Sequence, residues 1–496
     1  MTDDAGYSDL SIYGAEFDTP NIDALAEAGL RFAKFYNNAR CSPTRASLLT
    51  GRYPHAVGVG NLARVRDETP FPGYRGYLDP TVPTLAEVLR DAGYGTYMAG
   101  KWHLGGERKA QEGRGSRPDP AERSKWPLAR GFDAFYGSLR GHVDYFSPRP
   151  HRDMFRDNEA LDGPFEAGYY ATDAVVDEAL AMLEGHRQAE ASPFFLYLAF
   201  HAPHDPLQAP PEATQSHEGT YDGGRAHKLA AARADHLRDA GQLPGDWHPS
   251  DEATWHLNDE AGQAAFGADN ATVAAMMQSV DANVGRLVAD LAAAGELDNT
   301  LILFLSDNGA AGLHSALGNW PFRGTKASLY EGGVATHGIV HWPDGVTRPG
   351  RIVRAEAHVI DVLPTVLEVT GASFPGSREG QPTTPPDGES FAGLLRGGGF
   401  ERERPLHWDY EGIRATLFDG WKAVWPVEGE PGLYDLDDDP VEARNLADRH
   451  SHRLAQMRLW NEDWARANQV LPWSEVEAAL RSKPERRPPD PPPPGD

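Results

Sequence analysis

Cysteine and positive charge are both scarce in this sequence. Cys41 is the only cysteine among 496 residues, which excludes an internal disulfide framework, so the fold need not depend on an oxidising compartment. Lysine and arginine total 47 against 73 aspartates and glutamates, which gives a formal net charge of −26 at pH 7. This excess argues against nucleic acid and against an anionic membrane as partners.

Long hydrophobic runs are also missing. The longest apolar stretches, such as 194–200 and 301–305, have the length of a β-strand, well below the ~20 residues that span a bilayer. No export signal is visible either. We therefore expect no membrane segment and, on the residues given, a cytoplasmic location. Export stays open until the true start of the chain is known.

The sequence alternates short apolar runs with helical patterns, which is typical of an α/β fold with a mostly parallel central sheet. The hydrophobic residues make up 40% of the chain, enough for a large core. Strands are predicted at 96–99, 193–200, 300–305 and 338–341. Three of them run into Lys101, His204 and Asp307. In open α/β sheets, ligand-binding residues lie at the carboxyl ends of strands.

Two helix starts carry recognisable signals. Thr19 stands at a predicted N-cap with Pro20 at the first helical position, and Gly29 follows the predicted end. Thr84 and Glu87 have the spacing of a capping box. Both segments are therefore predicted to be helices that connect strands of the sheet.

The rest of the chain divides by composition. Two polar stretches rich in Gly, Pro and charge, 106–126 and 215–260, predict excursions that are either lids or indifferent insertions. A Pro-, Gly- and Ser-dense stretch at 371–389 predicts a linker. Beyond it, a small α+β unit with an antiparallel sheet is predicted from strands at 406–410, 415–418 and 422–425 and a helix at 453–467.

We therefore predict three parts. Residues 1–385 form a large α/β/α sandwich, and residues 386–481 form the smaller C-terminal α+β domain. Residues 482–496 are mostly proline and charge, and we expect them to be disordered.

Five motifs in a fixed order resemble one enzyme family. Cys41, Pro43 and Arg45 form the pattern C-x-P-x-R, and Thr-Gly-Arg follows at 50–52. The other four are D-D-A-G-Y-S-D-L at 3–10, A-G-K-W-H-L-G at 99–105, A-P-H-D-P-L-Q-A-P at 202–210, and S-D-N-G at 306–309 with G-T-K at 324–326 and Y-E-G-G at 330–333. Together they resemble the type I, formylglycine-dependent sulfatases of the alkaline phosphatase superfamily, and bacterial arylsulfatases in particular.

The resemblance implies a hydrolase of aryl or simple alkyl sulfate monoesters. In that family the formylglycine-generating enzyme oxidises the cysteine of C-x-P-x-R to formylglycine, which implies the same modification and the same maturation partner for Cys41. The catalytic positions of the family fall on Cys41, Arg45, Lys101, His103, His204 and Lys326. His201 competes with His204, which we prefer because it carries the P-H-x-P frame.

The resemblance also implies a metal site. Its ligands would be Asp3, Asp4, Asp307 and Asn308, with the modified Cys41 supplying a hydroxyl. Hard divalent cations take oxygen ligands, so this set suits calcium or magnesium better than zinc. We expect calcium.

The implied mechanism is covalent. The hydrated formylglycine at position 41 attacks sulfur in line, while Lys326 and His204 stabilise or protonate the leaving oxygen. His103 then takes a proton from the remaining hydroxyl and sulfate leaves. Cys41 also begins a predicted helix that reaches Leu49, so backbone N–H groups would face a bound sulfate.

Two departures from the family pattern carry expectations. Sulfatases normally have an apolar strand directly before the Asp pair, and only two residues precede Asp3 here, so we expect Asp3 and Asp4 to be poorly anchored. Asp205 adds a carboxylate near the leaving group and would disfavour substrates with a second anionic group. Two alternatives stay open: a phosphonate or phosphate ester hydrolase of the same superfamily, and a non-catalytic truncated relative.

Overall fold

A computed structural model describes residues 1–63, 69–109, 116–189, 192–222, 225–244, 260–312, 314–378 and 380–481. Its strands are β1 Leu30–Tyr36, β2 Gly95–Lys101, β3 Glu107–Lys109, β4 Ser116–Pro118, β5 Ala134–Ser138, β6 Phe155–Arg156, β7 Glu159–Ala160, β8 Phe194–Ala199, β9 Ile302–Leu305, β10 Ala335–His341, β11 Arg351–Val353, β12 Ala357–His358, β13 Ser377–Arg378, β14 Gln381–Pro382, β15 Leu406–Tyr410, β16 Ile413–Phe418, β17 Trp421–Trp425 and β18 Gly432–Asp435. The four strands predicted in the first part of the chain correspond to β2, β8, β9 and β10.

The helices are α1 Pro20–Glu27, α2 Cys41–Thr50, α3 Leu85–Asp91, α4 Ala171–Ala189, α5 Pro211–Gln215, α6 Ala226–Asp239, α7 Glu260–Ala293, α8 Ser315–Gly318, α9 Glu331–Val334, α10 Val362–Thr370, α11 Ala392–Leu395, α12 Ser451–Ala467 and α13 Trp473–Arg481. None of the helices in these ranges is long and apolar enough to cross a membrane.

The two predicted helix starts have different outcomes. The capping box of α3 is confirmed, because Thr84 accepts from Glu87 N and Glu87 accepts from Thr84 N. Thr19 is also the N-cap of α1 and Pro20 is its first residue, as predicted, but the Thr19 side chain makes no capping hydrogen bond. The Thr19 hydroxyl lies instead between the side chains of Ser11, at 2.8 Å, and Asp23, at 3.0 Å. The hydroxyl also accepts from Ser11 N at 3.0 Å, so its partners lie in the preceding turn and in Asp23 rather than at the backbone N–H groups of the first helical turn.

The central sheet has two halves, and the first residues of the chain lie between them. One half has the order β11-β1-β10-β9, and the other has the order β7-β6-β5-β2-β8. Thr2 N donates to Leu305 O at 2.9 Å, at the end of β9, and Asp3 N donates to Ala202 O at 3.1 Å, beyond β8. Parallel bridges also pair Thr2 with Ser306 and Asp3 with Pro203. Residues 1–3 therefore join the two halves.

Strand directions are mixed. β2 is parallel to both β5 and β8, whereas β10 is antiparallel to both β1 and β9. The predicted α/β class is confirmed, with β10 as the main antiparallel member. The apolar pattern of 338–341 marks a strand but carries no information about its direction.

Helices cover both faces of the sheet. Adjacent residues of a strand point to opposite faces, so each reports which helices pack on its own side. Phe304 and Ile339 belong to the apolar cluster that contains residues of α1, α4 and α7. Their neighbours Leu305 and Val340 belong to the cluster that contains residues of α2 and α10. This alternation produces three layers, as expected for an α/β/α sandwich.

The C-terminal strands β15 to β18 form an antiparallel sheet in sequence order. Helix α12 packs on it: Asn461 Nδ2 donates to Ala415 O at 3.0 Å, and Met457 packs with Ala423 and Leu433. The predicted boundaries of the domains remain predictions. The predicted tail lies outside the described residues, as do parts of both polar excursions, 110–115 and 245–259. Within the second excursion, 226–239 is helix α6.

Candidate active site

The start of the chain supplies two buried carboxylates to the polar edge of the sheet. Asp3 is 0% exposed and Asp4 is 2% exposed. The backbone bonds of Thr2 and Asp3 to both halves of the sheet fix this segment, and Asp4 N also faces Asp307 Oδ1 at 3.4 Å. The expectation that the Asp pair is poorly anchored is therefore wrong. Contacts with residues about 200 and 300 positions away hold it.

Cys41 is the first residue of α2 and is buried. Its Sγ donates to Asp3 Oδ1 at 3.4 Å. Burial, together with the carboxylates of Asp3 and Asp307, raises the pKa of the thiol to about 12. A thiol is nucleophilic only as the thiolate, so unmodified Cys41 is poorly suited to attack an ester at neutral pH.

Three cations face three carboxylates around Cys41. Arg45 donates to Asp307 Oδ2 from Nε at 3.0 Å and from Nη2 at 2.8 Å. The ammonium of Lys101 contacts Asp3. Lys326 Nζ lies 2.5 and 2.8 Å from the two oxygens of Asp4. Three largely buried cations thus lie close together at this edge, each paired with a carboxylate.

The cations lower the pKa of Asp3 and Asp4, whereas burial and the neighbouring Asp3 raise that of Asp307 to about 6. Burial alone would raise the pKa of Asp3, but Lys101, His204 and Arg45 hold it well below its ordinary range. An ionised carboxylate in a buried site is a ready ligand for a divalent cation.

Asn308 adds a neutral oxygen to this set. Its Nδ2 donates to Asp4 Oδ1 at 2.6 Å, whereas its buried Oδ1 has no hydrogen-bond partner among the described residues. A buried acceptor without a partner costs free energy unless something else satisfies it. Asp3, Asp4, Cys41 and His204 also place potential ligand atoms within 4.8 Å of one another. The donor set therefore fits a hard divalent cation.

The histidines differ in their surroundings. His204 Nδ1 lies 2.7 Å from Asp205 O, and its Nε2 lies 3.7 Å from Asp4 Oδ2. Burial, Lys101 and Arg45 hold the pKa of His103 well below its ordinary value, so its imidazole is neutral. His201 is also buried, with a pKa lowered to about 3. The structure brings all the predicted site residues to this edge, with the competitor His201 beside them.

One loop at the site was not identified from sequence. It follows β5 and contains Arg140, Gly141 and His142. A Cβ at Gly141 would lie 2.8 Å from Cε1 of His103, so the loop packs directly on that imidazole. The pKa of His142 is lowered by burial, Arg140 and His204. Because β5 lies beside β2, the rule that ligand residues follow strand ends could have identified this loop.

Comparison with known proteins gives a consistent result. The sequence model described as Sulfatase matches residues 1–372. The chain is 31% identical to an uncharacterised sulfatase of Schizosaccharomyces pombe over 92% of this chain and 91% of that protein. It is 30% identical to the arylsulfatase of Klebsiella aerogenes, over 79% and 90% of the two chains. The crystal structure of Ps i-CgsB matches 97% of this chain and 95% of its own, with a TM-score of 0.72 and 26% identity.

Proposed function

Because this chain belongs to the sulfatase family and is therefore a sulfuric ester hydrolase, we propose that it hydrolyses aryl sulfate monoesters with a formylglycine at position 41 and a bound calcium ion. The name of the Klebsiella relative supports the substrate class. The maturation partner in this proposal is the formylglycine-generating enzyme.

The observation that carries the proposal is the position of Cys41. It lies buried at the start of α2, between the carboxylates of Asp3 and Asp307 and the ammonium groups of Lys101 and Lys326. These cations suit an anionic ester, but the raised pKa of the thiol does not suit nucleophilic attack by cysteine. Oxidation to formylglycine removes the sulfur and turns Cβ of residue 41 into an aldehyde carbon, whose hydrate supplies hydroxyl groups instead.

The metal would be held by oxygens of Asp3, Asp4, Asp307 and Asn308, beside position 41. When bound, a divalent cation supplies Lewis-acid chemistry, which lowers the pKa of a neighbouring hydroxyl. The unpartnered Oδ1 of Asn308 supports this assignment, and magnesium is compatible with the same donors.

The remaining residues would bind the ester and move protons. Lys101 and Lys326 neutralise the sulfate group, while Arg45 fixes Asp307 through two donors on one oxygen. His204 assists departure of the alcohol oxygen, since its Nδ1 is engaged with Asp205 O and leaves Nε2 for the site. His103 is neutral and accepts the proton that must leave for sulfate to be released.

The substrate class is tested by comparing matched esters. The protein is produced with a formylglycine-generating enzyme, and kcat/KM is measured on 4-nitrophenyl sulfate and 4-nitrophenyl phosphate. Phosphate monoesters carry nearly one more negative charge at neutral pH, and Asp205 at the mouth opposes it, so sulfate should be preferred. A preference for phosphate would replace this proposal with a phosphate ester hydrolase.

The nucleophile is tested in the same preparation. Cys41→Ala should abolish turnover without unfolding the protein, and intact-protein mass spectrometry should show the wild-type residue 41 as an aldehyde or its hydrate. Substantial sulfatase activity in Cys41→Ala would end the formylglycine mechanism.

A further inference from the structure

We propose that Lys422, in the C-terminal sheet, is a positioning residue for catalysis. It holds Glu331, and through Glu331 it fixes the loop that carries Lys326. This inference rests on the proposed function, in which Lys326 contacts the sulfate ester. Part of the active-site geometry would then depend on β17, which contributes no residue to the proposed site.

The contacts form a closed cluster of charges. Lys422 lies on β17 and is 0% exposed. Its Nζ donates to Glu331 Oε1 at 2.6 Å and lies 3.0 Å from Glu442 Oε1. The other oxygen of Glu442 accepts from Glu331 N at 2.7 Å, and Tyr36 OH donates to Glu331 Oε2 at 3.1 Å. Glu331 is therefore held through its side chain by Lys422 and Tyr36, and through its backbone by Glu442.

Glu331 begins α9, and the next two residues pack on the Lys326 loop. Gly332 N donates to Arg323 O at 2.7 Å. A Cβ at Gly332 would lie 2.4 Å from Gly324 O, and a Cβ at Gly333 would lie 2.1 Å from Ser328 O. Such contacts leave no room for side chains, so α9 and the segment 323–328 meet backbone to backbone. A displacement of α9 must displace this segment.

Lys326 is the residue of that segment that reaches the site. Its Nζ contacts Asp4, and Lys326 N donates to Ala310 O at 3.1 Å. The chain of contacts thus runs from Lys422 to Glu331, from α9 to the loop, and from the loop to a cation beside Cys41. Every step is a hydrogen bond, an ion pair or direct backbone packing.

General stability is a weak explanation for this cluster. Removing ions from water costs several kcal/mol each, and a buried ion pair is often no better than apolar packing. The arrangement does fix the orientation of Glu331, because Lys422 Nζ, Tyr36 OH and the carboxylate of Glu442 each bind a different atom of it.

A double-mutant cycle tests the inference. We expect Lys422→Met to lower kcat/KM on 4-nitrophenyl sulfate by about 10- to 100-fold, as misplacement of a catalytic group by about 1 Å does. In the Lys326→Ala background the same change should cost less than about twofold, because residues that act through one group are not additive. A role in stability alone would lower kcat/KM equally in both backgrounds.

Lys34→Met is the matched control. Lys34 also joins the sandwich to the C-terminal part, through an ion pair of 2.6 Å with Asp437, but it does not touch α9 or the Lys326 loop. We expect kcat/KM within about twofold of wild type, as for an exposed ion pair. Glu442→Gln keeps the contact between Lys422 and Glu331, and it is measured alone to give the baseline for the double variant below.

Lys422→Met leaves two carboxylates without their cation and so threatens folding. Lys422→Met/Glu442→Gln removes one charge of each sign, keeps the net charge of the cluster, and is tested in the same two backgrounds after its thermal unfolding has been measured. Wild-type kcat/KM in either Lys422 variant, or an equal loss with and without Lys326, overturns the inference. If Lys326→Ala itself stays fully active, the proposed role of Lys326 fails instead.

Discussion

Asn308 donates from Nδ2 to Asp4 Oδ1 across 2.6 Å and leaves its own buried Oδ1 without a hydrogen-bond partner in the described part of the chain. The amide is thus fixed in one orientation, with its oxygen available. Because Asp4 also binds Lys326, Asn308 lies next to a carboxylate proposed to bind the metal and a cation proposed to bind the ester.

We expect Asn308→Ala to weaken calcium binding by about 10- to 100-fold, which corresponds to the loss of one buried polar contact of roughly 1–3 kcal/mol. Titration calorimetry on chelator-treated protein measures the affinity. In a separate assay on chelator-treated wild type, calcium or magnesium should restore activity better than zinc. Asn61→Ala, whose side chain pairs with exposed Glu411, is the control. Full activity of metal-stripped wild type would refute the metal site.

Helix α6 anchors the segment that carries the Asp pair. Arg233 lies on this helix and is almost fully buried. It donates from Nη1 to Asp9 Oδ1 at 3.1 Å and from Nε to Glu16 Oε2 at 2.8 Å. Asp9 Oδ2 accepts from Gly6 N at 2.8 Å. The helix therefore holds the turn that follows Asp3 and Asp4.

Arg233→Ala should destabilise the protein by about 3–5 kcal/mol, because it leaves the buried carboxylate of Asp9 and the partly buried carboxylate of Glu16 without their cation. It should also weaken calcium binding, since the turn beside the ligands loses its anchor. Arg238→Ala, on the same helix in an exposed pair with Asp235, should cost less than about 1 kcal/mol. Denaturant unfolding measures both, and similar losses in the two variants would contradict this account.

Motif spacing placed the polar residues of the site at strand ends, where the structure brings them together. What it could not provide was contact between distant segments. Lys422 is an unremarkable lysine in a short strand, and its partner Glu331 is 91 positions away. The anchoring of Asp3 likewise depends on strands far along the chain. Thr19 shows a local limit: the sequence predicted its N-cap position correctly, but not that its hydroxyl binds Ser11 and Asp23.

The proton affinity of Glu442 should appear in the pH dependence of stability. Burial, opposed by Lys422 but reinforced by Glu331, raises its pKa from 4.5 to about 7. Between these values the folded protein binds more protons than the unfolded chain, so stability falls as pH rises through this window and then levels off. The slope of this contribution approaches about 1 kcal/mol per pH unit.

Glu442→Gln should remove that contribution. We expect its free energy of unfolding, measured by urea titration from about pH 5 to about pH 8, to fall less steeply with pH than that of wild type. Asp437→Asn, at an exposed carboxylate, should leave the slope unchanged. Parallel curves for wild type and Glu442→Gln would show that Glu442 does not titrate in this range.

Variants of His103 and His204 should slow different steps in single-turnover experiments. His103 is neutral and lies against Gly141, so it can accept a proton late in the cycle without being needed for attack. His103→Ala should therefore release one equivalent of alcohol quickly and then stall before sulfate appears.

His204 faces the site through Nε2, and Tyr145 OH donates to its backbone oxygen at 2.9 Å, which fixes its position. If it protonates the leaving oxygen, His204→Ala should slow the first release of alcohol, most of all for alkyl esters, whose leaving groups are strongly basic. Quenched-flow measurement of alcohol and sulfate across a series of leaving groups distinguishes the two variants.

His142→Ala, from the neighbouring loop, is the control for general disturbance of the mouth and should not change the dependence on leaving-group basicity. A fast burst of alcohol in His204→Ala, with no burst in His103→Ala, would reverse the two assignments.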